Sequence, residues 1–341
     1  MDTKIFEFFD NLDDNESLNA YLQHDAQRPR NPKGRLGKKL ESEEQTFIRS
    51  QDSTRGTIGF TYKAARFEEW WLLESLNEFY EEGWIVDVLR RVKGGKEASV
   101  YQCRSGAAIG GDLAAAKVYR PRSMRNLRND GLYREGRAYF DGDGHDIKKD
   151  KTLKAITKKT QYGRELQHQS WIAHEFLFMQ DLHAAGADVP EPYTMANNAI
   201  LMEFVGDANA CAPALNEVGL PRSEARPLFD RVLSNLDLLL AHERIHGDLS
   251  AYNVLYWKGG ITMIDFPQVI SPLVNKHAYR IFSRDVKRIC DYFASQGVRS
   301  DPTRLAEDLW TSHGYRLPRS SPEEDESGAG QRPAPPGLAT A

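Results

Sequence analysis

The chain has 341 residues, of which 40% are hydrophobic and 10% aromatic, so it can bury a sizeable core and is longer than one minimal domain requires. Its formal net charge of −4 excludes a polycation that binds nucleic acid over its whole surface. The cysteines at 103, 211 and 290 form no C-x-x-C pair, which argues against a zinc site or a disulfide framework. An acidic N-terminus without an h-region, and no 18-residue apolar run, predict a cytoplasmic protein without membrane contact.

Residues 1–62 are predicted to form an N-terminal extension that is disordered in part. Positions 28–39 carry six basic residues and no acidic one, interrupted by prolines and glycines. A segment of this composition cannot bury a core. Two interpretations remain open for it, a solvated linker and an arm that contacts RNA.

From about residue 64 the sequence predicts a helix followed by three strands. Apolar residues recur at helical spacing up to Gly83, which is placed to stop the helix. Strand-like runs follow at 85–92, 99–103 and 113–119. The turn at 93–98 contains two glycines and can bring backbone N–H groups close to phosphates, although most turns of this kind are simple hairpins.

A lysine, Lys117, stands inside the otherwise apolar run A-A-A-K-V-Y. One interpretation is a lysine at a strand edge that reaches solvent. The other is a buried ammonium, which requires a carboxylate partner because an uncompensated buried charge is costly. Glu175, on a largely apolar face of the helix predicted at 170–179, is that partner, and the pairing also accounts for the buried glutamate.

The connection at 120–164 is long and polar, with 13 Lys or Arg against 6 Asp or Glu. We expect a flexible loop with a helical segment near 151–159. Its positive charge is compatible with contact to RNA or to an acidic partner, and equally with a solvated loop.

The second half of the chain is predicted to begin at a hinge. A buried strand at 199–206 ends in a glycine, and the free backbone groups of Glu203 and Val205 near its end could bind an adenine edge. Helices are predicted at 222–242, 275–296 and 301–313, and the tail beyond residue 317 is disorder-prone in composition.

The stretch 244–266 holds the densest set of polar candidate residues. An H-G-D triplet ends in Asp248, Asn253 follows five residues later, and two short strands joined by a tight turn lead to Asp265. This loop–strand–turn–strand unit brings the three side chains to one edge. Phosphoryl transfer needs such a set, with a carboxylate for the acceptor hydroxyl and an amide oxygen plus a carboxylate for Mg²⁺.

Together these motifs resemble the RIO family of atypical serine/threonine kinases, in the branch typified by G-K-E-A. The matching positions occur in the expected order over roughly residues 64 to 315, at 95–101, 116–119, 171, 175–176, 200–204, 246–253 and 264–268. The resemblance implies an α+β, two-lobed protein-kinase-like fold, with an antiparallel sheet and a long helix in the N-lobe and a reduced, mostly helical C-lobe. It places the N-lobe at 63–205, the C-lobe at 206–316 and the tail at 317–341. After Asp265 there is no room for a full activation segment.

The resemblance also implies ATP and Mg²⁺ as cofactors and assigns residue roles. Lys117 would bind the α and β phosphates, and Glu175 would pair with it. Asp248 would accept the proton of the substrate hydroxyl, while Asn253 and Asp265 would ligate Mg²⁺. The His246 side chain would brace the loop. The loop over the triphosphate would comprise Lys93, Gly94, Gly95, Lys96, Glu97, Ala98, Ser99 and Val100, and the adenine pocket would be lined by Met202, Glu203 and Val205.

Three functions are compatible with these motifs. The first is a Mg-ATP-dependent kinase that phosphorylates serine or threonine on itself or on a protein partner. The second is an ATPase switch that acts on ribosomal small-subunit RNA or pre-ribosomal particles, through an aspartyl-phosphate on Asp265 and RNA contacts of segments 28–39 and 120–164. The third is a small-molecule kinase of the aminoglycoside or choline type, a class that also uses H-G-D-x-x-x-x-N. The motifs of this chain at 95–98 and 267–268 argue against that class.

Overall fold

A computed structural model of the chain describes residues 60–95, 97–120, 139–140, 147, 150–158, 160–196 and 198–318. The predictions for the basic segment 28–39, for the tail and for most of the connection at 120–149 lie outside the described residues, as does Lys96.

The N-lobe consists of a helix and a five-stranded antiparallel sheet. Helix α1 (Arg66–Glu81) is followed by Gly83, whose φ of +75° takes the chain out of the helix as the sequence predicts. The strands are β1 (Ile85–Gly94), β2 (Ala98–Ser105), β3 (Leu113–Tyr119), β4 (Pro192–Ala196) and β5 (Ala199–Glu203). Their order in the sheet is β1-β2-β3-β5-β4, and every neighbouring pair is antiparallel. The predicted α+β fold is confirmed.

Two helices lie in the described part of the connection from β3 to β4. They are α2 (Asp150–Thr157) and α3 (Gln161–Ala184), so α3 begins well before the helix that we expected at 170–179. The Thr160 hydroxyl accepts a hydrogen bond from Gly163 N at 3.0 Å and caps α3. A Cβ at Gly163 would lie 2.0 Å from Ala155 O, which shows that α2 and α3 touch backbone to backbone.

The C-lobe is mostly helical. It contains α4 (Arg222–Ala241), the hairpin of β6 (Val254–Trp257) and β7 (Gly260–Met263), α5 (Ala278–Ser295) and α6 (Pro302–Ser312). Lys258 and Gly259 join the hairpin with φ of 49° and 83°, as a type I′ turn requires. Helix α5 starts three residues later than expected because Asn275 Oδ1 accepts a hydrogen bond from His277 N at 2.8 Å and holds a turn there.

Of the three hydrophobic clusters among the described residues, the two larger ones form the cores of the lobes. One lies between α1 and the sheet, and its fully buried Leu72 and Leu76 contribute about 1.5–3 kcal/mol each. The larger core fills the C-lobe and includes Phe178 and Leu182 from the C-terminal half of α3, so that this helix joins the two lobes. None of the helices in the described part of the chain combines the length and the apolar character needed to span a bilayer.

Candidate active site

The three polar side chains predicted from the 244–266 stretch line one open cleft of about 660 Å³. Asp248 and Asn253 come from the loop before β6, and Asp265 follows β7. Asn253 Nδ2 donates to Asp248 O at 3.0 Å, and Ile264 N donates to Asn253 O at 3.0 Å. The loop and the end of the hairpin are therefore tied to each other, and the amide oxygen of Asn253 is left for a ligand.

An ion triad joins the sheet, α3 and this cleft. Lys117 Nζ lies 2.6 Å from Glu175 Oε1 and 2.7 Å from Asp265 Oδ1. The predicted pairing of Lys117 with Glu175 is confirmed, and the contact with Asp265 is additional. The Tyr119 hydroxyl donates to Glu175 Oε2 at 2.6 Å, so both oxygens of this buried carboxylate are satisfied. Lys117 and Tyr119 are two residues apart on β3 and therefore lie on the same face of the sheet.

Lys117 and Asp265 stay ionised at neutral pH. Burial acts to lower the pKa of Lys117, but the Asp265 and Glu175 carboxylates outweigh it and raise that pKa above the ordinary value. Enclosure acts to raise the pKa of Asp265, and the Lys117 ammonium brings it below the ordinary value, helped by His246 and Lys93. The side chain of Asp265 is nevertheless 44% exposed, so a ligand can reach it.

The H-G-D loop depends on its glycine and its histidine. Gly247 has a φ of +87°, and a Cβ there would lie 2.2 Å from Gln268 O. His246 is fully buried against Phe266, with the ring centroids 5.0 Å apart. Its Nε2 donates to Ile264 O at 3.2 Å and its Nδ1 accepts from Asp248 N at 3.3 Å. His246 therefore braces the loop.

A buried aspartate on α5 supports the same loop and was not predicted. Asp285 Oδ2 accepts from Gly247 N at 2.9 Å, and Arg284 Nη2 donates both to Gly247 O and, at 3.1 Å, to Asp285 Oδ1. Burial raises the pKa of Asp285, although His246 and Arg284 act to lower it. The sequence carried a signal for it, because Asp285 is four residues from both Ile281 and Ile289 on the apolar face of α5.

A second contact from α5 reaches Asp248 itself. Arg288 Nη1 donates to Asp248 Oδ1 at 2.7 Å, and the side chains are 41% and 39% exposed. The sequence held no signal for this contact, because a half-exposed arginine on a helix is ordinary.

The predicted phosphate-covering loop is a tight hairpin between β1 and β2. Gly95 N donates to Ala98 O at 2.9 Å, and Lys93 and Gly94 pair with Val100 and Ser99. Ser99 is buried and the Lys93 side chain is exposed. Glu97 O accepts from Arg120 N at 2.8 Å and closes the base of the hairpin.

The predicted adenine-binding residues lie at the connection between the lobes. Met202 is 8% exposed and belongs to the larger core, while Glu203 is the exposed last residue of β5. Val205 O accepts from Ala212 N at 2.9 Å. No described residue accepts a hydrogen bond from Val205 N, so this donor is left for a ligand.

The donor set fits a magnesium ion that arrives with a nucleotide. Among the described residues, no group of three or more His, Cys, Asp or Glu side chains could hold a metal ion. Mg²⁺ is commonly held by one or two protein oxygens together with substrate phosphates. Asn253 and Asp265 supply an amide oxygen and a carboxylate in the same cleft, and Asp265 Oδ2 has no partner among the described residues.

Comparison with known proteins places these residues in a family. A family model described as RIO domain matches residues 100–305. The RIO-type serine/threonine-protein kinase Rio1 of Haloferax volcanii is 30% identical over 217 residues, which cover 62% of this chain and 65% of that protein. The human serine/threonine-protein kinase RIO1 is 27% identical over 217 residues, 63% of this chain and 35% of that one. The chain thus spans less than two thirds of either relative.

Proposed function

The chain belongs to the RIO family, and on that basis we propose that it is an atypical serine/threonine protein kinase that uses Mg-ATP to phosphorylate itself or a protein partner. The observation that carries the proposal is the Lys117–Glu175–Asp265 triad, whose Asp265 lines one cleft together with Asp248 and Asn253. A phosphate-binding lysine, two candidate metal-ligating oxygens and a carboxylate for the acceptor are the parts that phosphoryl transfer needs.

The residues in and around the cleft then have distinct tasks. An ammonium has three donors, and Glu175 and Asp265 occupy two of those on Lys117, which leaves one for the α and β phosphates. The N–H of Val205 binds the adenine edge. Asp248 takes the proton of the acceptor hydroxyl as its oxygen attacks the γ-phosphorus, and ADP leaves. Asn253 and Asp265 would hold Mg²⁺, which when bound would neutralise charge on the phosphates.

Transfer of radiolabel from Mg-ATP tests the proposal. We expect label on serine or threonine of the chain or of a protein in a cell extract, and a loss of at least about 10²-fold with Asp248→Asn, which removes the base but keeps its shape. Asp230→Asn is the matched control, because Asp230 is an exposed aspartate that pairs with Arg226 on the surface of α4 at 2.9 Å. Equal labelling by wild type and Asp248→Asn would contradict the proposal.

A second candidate is an ATPase cycle through an aspartyl-phosphate. The exposure and lowered pKa of Asp265 support it, because an ionised and reachable carboxylate can attack the γ-phosphorus. ADP would leave, and water would hydrolyse the acyl phosphate. Label that hydroxylamine removes, and that Asp265→Asn abolishes, would support this cycle; label stable to hydroxylamine would contradict it.

The partner proposed for that cycle is ribosomal small-subunit RNA or a pre-ribosomal particle, contacted through segments 28–39 and 120–164. The positive charge of both segments supports this. Replacing the basic residues of 28–39 with serine should weaken RNA binding and reduce its salt dependence. Unchanged affinity at low salt would exclude that segment as the contact.

A further inference from the structure

Arg288 occupies an unusual place for a helix-surface arginine, because it holds the candidate base. Its Nη1 lies 2.7 Å from Asp248 Oδ1, and both side chains line the cleft. An ion pair this exposed contributes only about 0–1 kcal/mol to stability. Helix α5 is held instead by its buried apolar face, which includes Ile281, Phe282, Val286 and Ile289. Stability therefore does not account for the contact.

The guanidinium retains donors that point to no described group. It carries five N–H donors in a planar fork that matches the oxygens of a phosphoryl group. Nη1 is used by Asp248, whereas Nε and Nη2 have no partner in the part of the chain that the structure describes. Asp291, a neighbouring carboxylate on the cleft, is engaged by Lys287 at 2.6 Å and does not draw Arg288 away.

The negative charge of the residues that line the cleft favours a cationic donor such as Arg288 for binding a phosphoryl group. The described residues lining it include three carboxylates, those of Asp248, Asp265 and Asp291, and Arg288 is the single Lys or Arg among them. In phosphoryl transfer, negative charge spreads over three equatorial oxygens while the acceptor oxygen approaches the phosphorus. The base must touch that acceptor, so a side chain bonded to the base lies next to the group being transferred.

We propose that Arg288 is a catalytic residue whose free N–H donors bind the equatorial oxygens of the γ-phosphoryl group during transfer, while Nη1 stays on Asp248. The inference rests on the proposed kinase function. In the step, the acceptor O–H gives its proton to Asp248 and its oxygen bonds to the γ-phosphorus. The bond from that phosphorus to the β–γ bridging oxygen breaks, and its electron pair leaves with ADP. Arg288 neither gains nor loses a proton.

Arg288→Ala, Arg288→Lys and the control Arg304→Ala test the proposal. Arg304 is 80% exposed on α6 and pairs with Asp308, so its loss removes an arginine without touching the cleft. We expect Arg288→Ala to lower kcat by about 10²–10³-fold at every pH, with the Kd for Mg-ATP within about twofold of wild type. Arg288→Lys should recover part of the rate, because it restores the charge without the fork.

Binding of a transition-state analogue adds a readout that does not depend on turnover. Arg288→Ala should bind Mg-ADP as wild type does and bind Mg-ADP with aluminium fluoride at least about tenfold more weakly. Equal analogue binding would overturn the proposal. A rate loss confined to the acidic limb of the pH profile would also overturn it, because Arg288 would then only tune the base.

The two levels of inference fail in different ways. An active wild type with an inactive Asp248→Asn and a fully active Arg288→Ala would overturn the role of Arg288 and leave the kinase function standing. An inactive wild type would overturn the kinase function and the role of Arg288 with it. Thermal unfolding shows whether Arg288→Ala is folded. If it is not, Arg288→Lys is used for the test instead. Wild-type values of kcat and of analogue affinity for Arg288→Lys would then count against a role for the planar guanidinium.

Discussion

Replacing Asp285 with alanine should both destabilise the fold and disturb the H-G-D loop. This carboxylate is fully buried and joins two elements, α5 and the H-G-D loop. It accepts from Gly247 N at 2.9 Å and from Arg284 at 3.1 Å. Alanine removes this acceptor from both donors, of which Gly247 N is buried.

The expected loss follows from these contacts. A buried N–H without an acceptor costs about 1–3 kcal/mol, and removing one partner of a buried ion pair costs about 3–5 kcal/mol. The two losses overlap, and Arg284 is 36% exposed and regains water. We therefore expect Asp285→Ala to lower the free energy of unfolding by about 3 kcal/mol, which a domain with the usual stability of about 5–15 kcal/mol survives.

Urea unfolding at pH 7 measures this change, and phosphoryl transfer measures its effect on the loop. Asp301→Ala is the control, because Asp301 is an exposed cap of α6 whose loss costs about 1 kcal/mol. Asp285→Asn keeps an oxygen for Gly247 N and should fall between wild type and Asp285→Ala. An Asp285→Ala variant no less stable than Asp301→Ala would refute the reasoning, as would one with wild-type kcat.

Three further predictions concern the triad and the loop. The contribution of Lys117 and Asp265 to the free energy of unfolding should be constant between about pH 4 and pH 10, since both are then charged. This contribution should fall below about pH 4 as Asp265 is protonated, and above about pH 10 as Lys117 loses its proton. Urea unfolding at a series of pH values measures both changes, and the Lys117→Met variant should lack them. Tyr119→Phe should lower the free energy of unfolding by about 1–3 kcal/mol, because one oxygen of buried Glu175 loses its donor; the midpoint of urea unfolding reports it, and an unchanged midpoint would contradict it. Gly247→Ala should lower kcat at least tenfold with little change in ATP affinity, since its Cβ would meet a backbone carbonyl at 2.2 Å and shift the loop; wild-type kcat would show that the loop yields without harm.

The sequence predicted the parts of the site that lie in short motifs. Asp248, Asn253 and Asp265 are separated by one turn and one hairpin, so their convergence follows from local geometry. Lys117 and Glu175 were predicted although they are far apart in sequence, because each is a charge within an apolar pattern that requires a partner.

Contacts of exposed polar residues could not be predicted in this way. The pairing of Arg288 with Asp248 depends on how α5 packs against the loop, and neither residue interrupts an apolar pattern. Helix α2 and the first turns of α3 are rich in charged and polar residues, so an apolar period does not mark where α3 begins. Asp285 differs from these residues, because it is a charge on the buried face of α5. The argument that predicted a partner for Glu175 could therefore also have predicted one for Asp285.

The backbone contact between α2 and α3 has a mechanical consequence for the triad. Helix α3 has 24 residues, extends about 36 Å and contains no proline that would bend it. Its first turn lies against α2 at Gly163, and Glu175 stands farther along the same rod. A rotation of α3 by one residue, about 100°, would carry Glu175 away from Lys117 and break the pair. Because α2 touches α3 at Gly163, a displacement of α2 would act on the same helix that carries Glu175, the partner of Lys117.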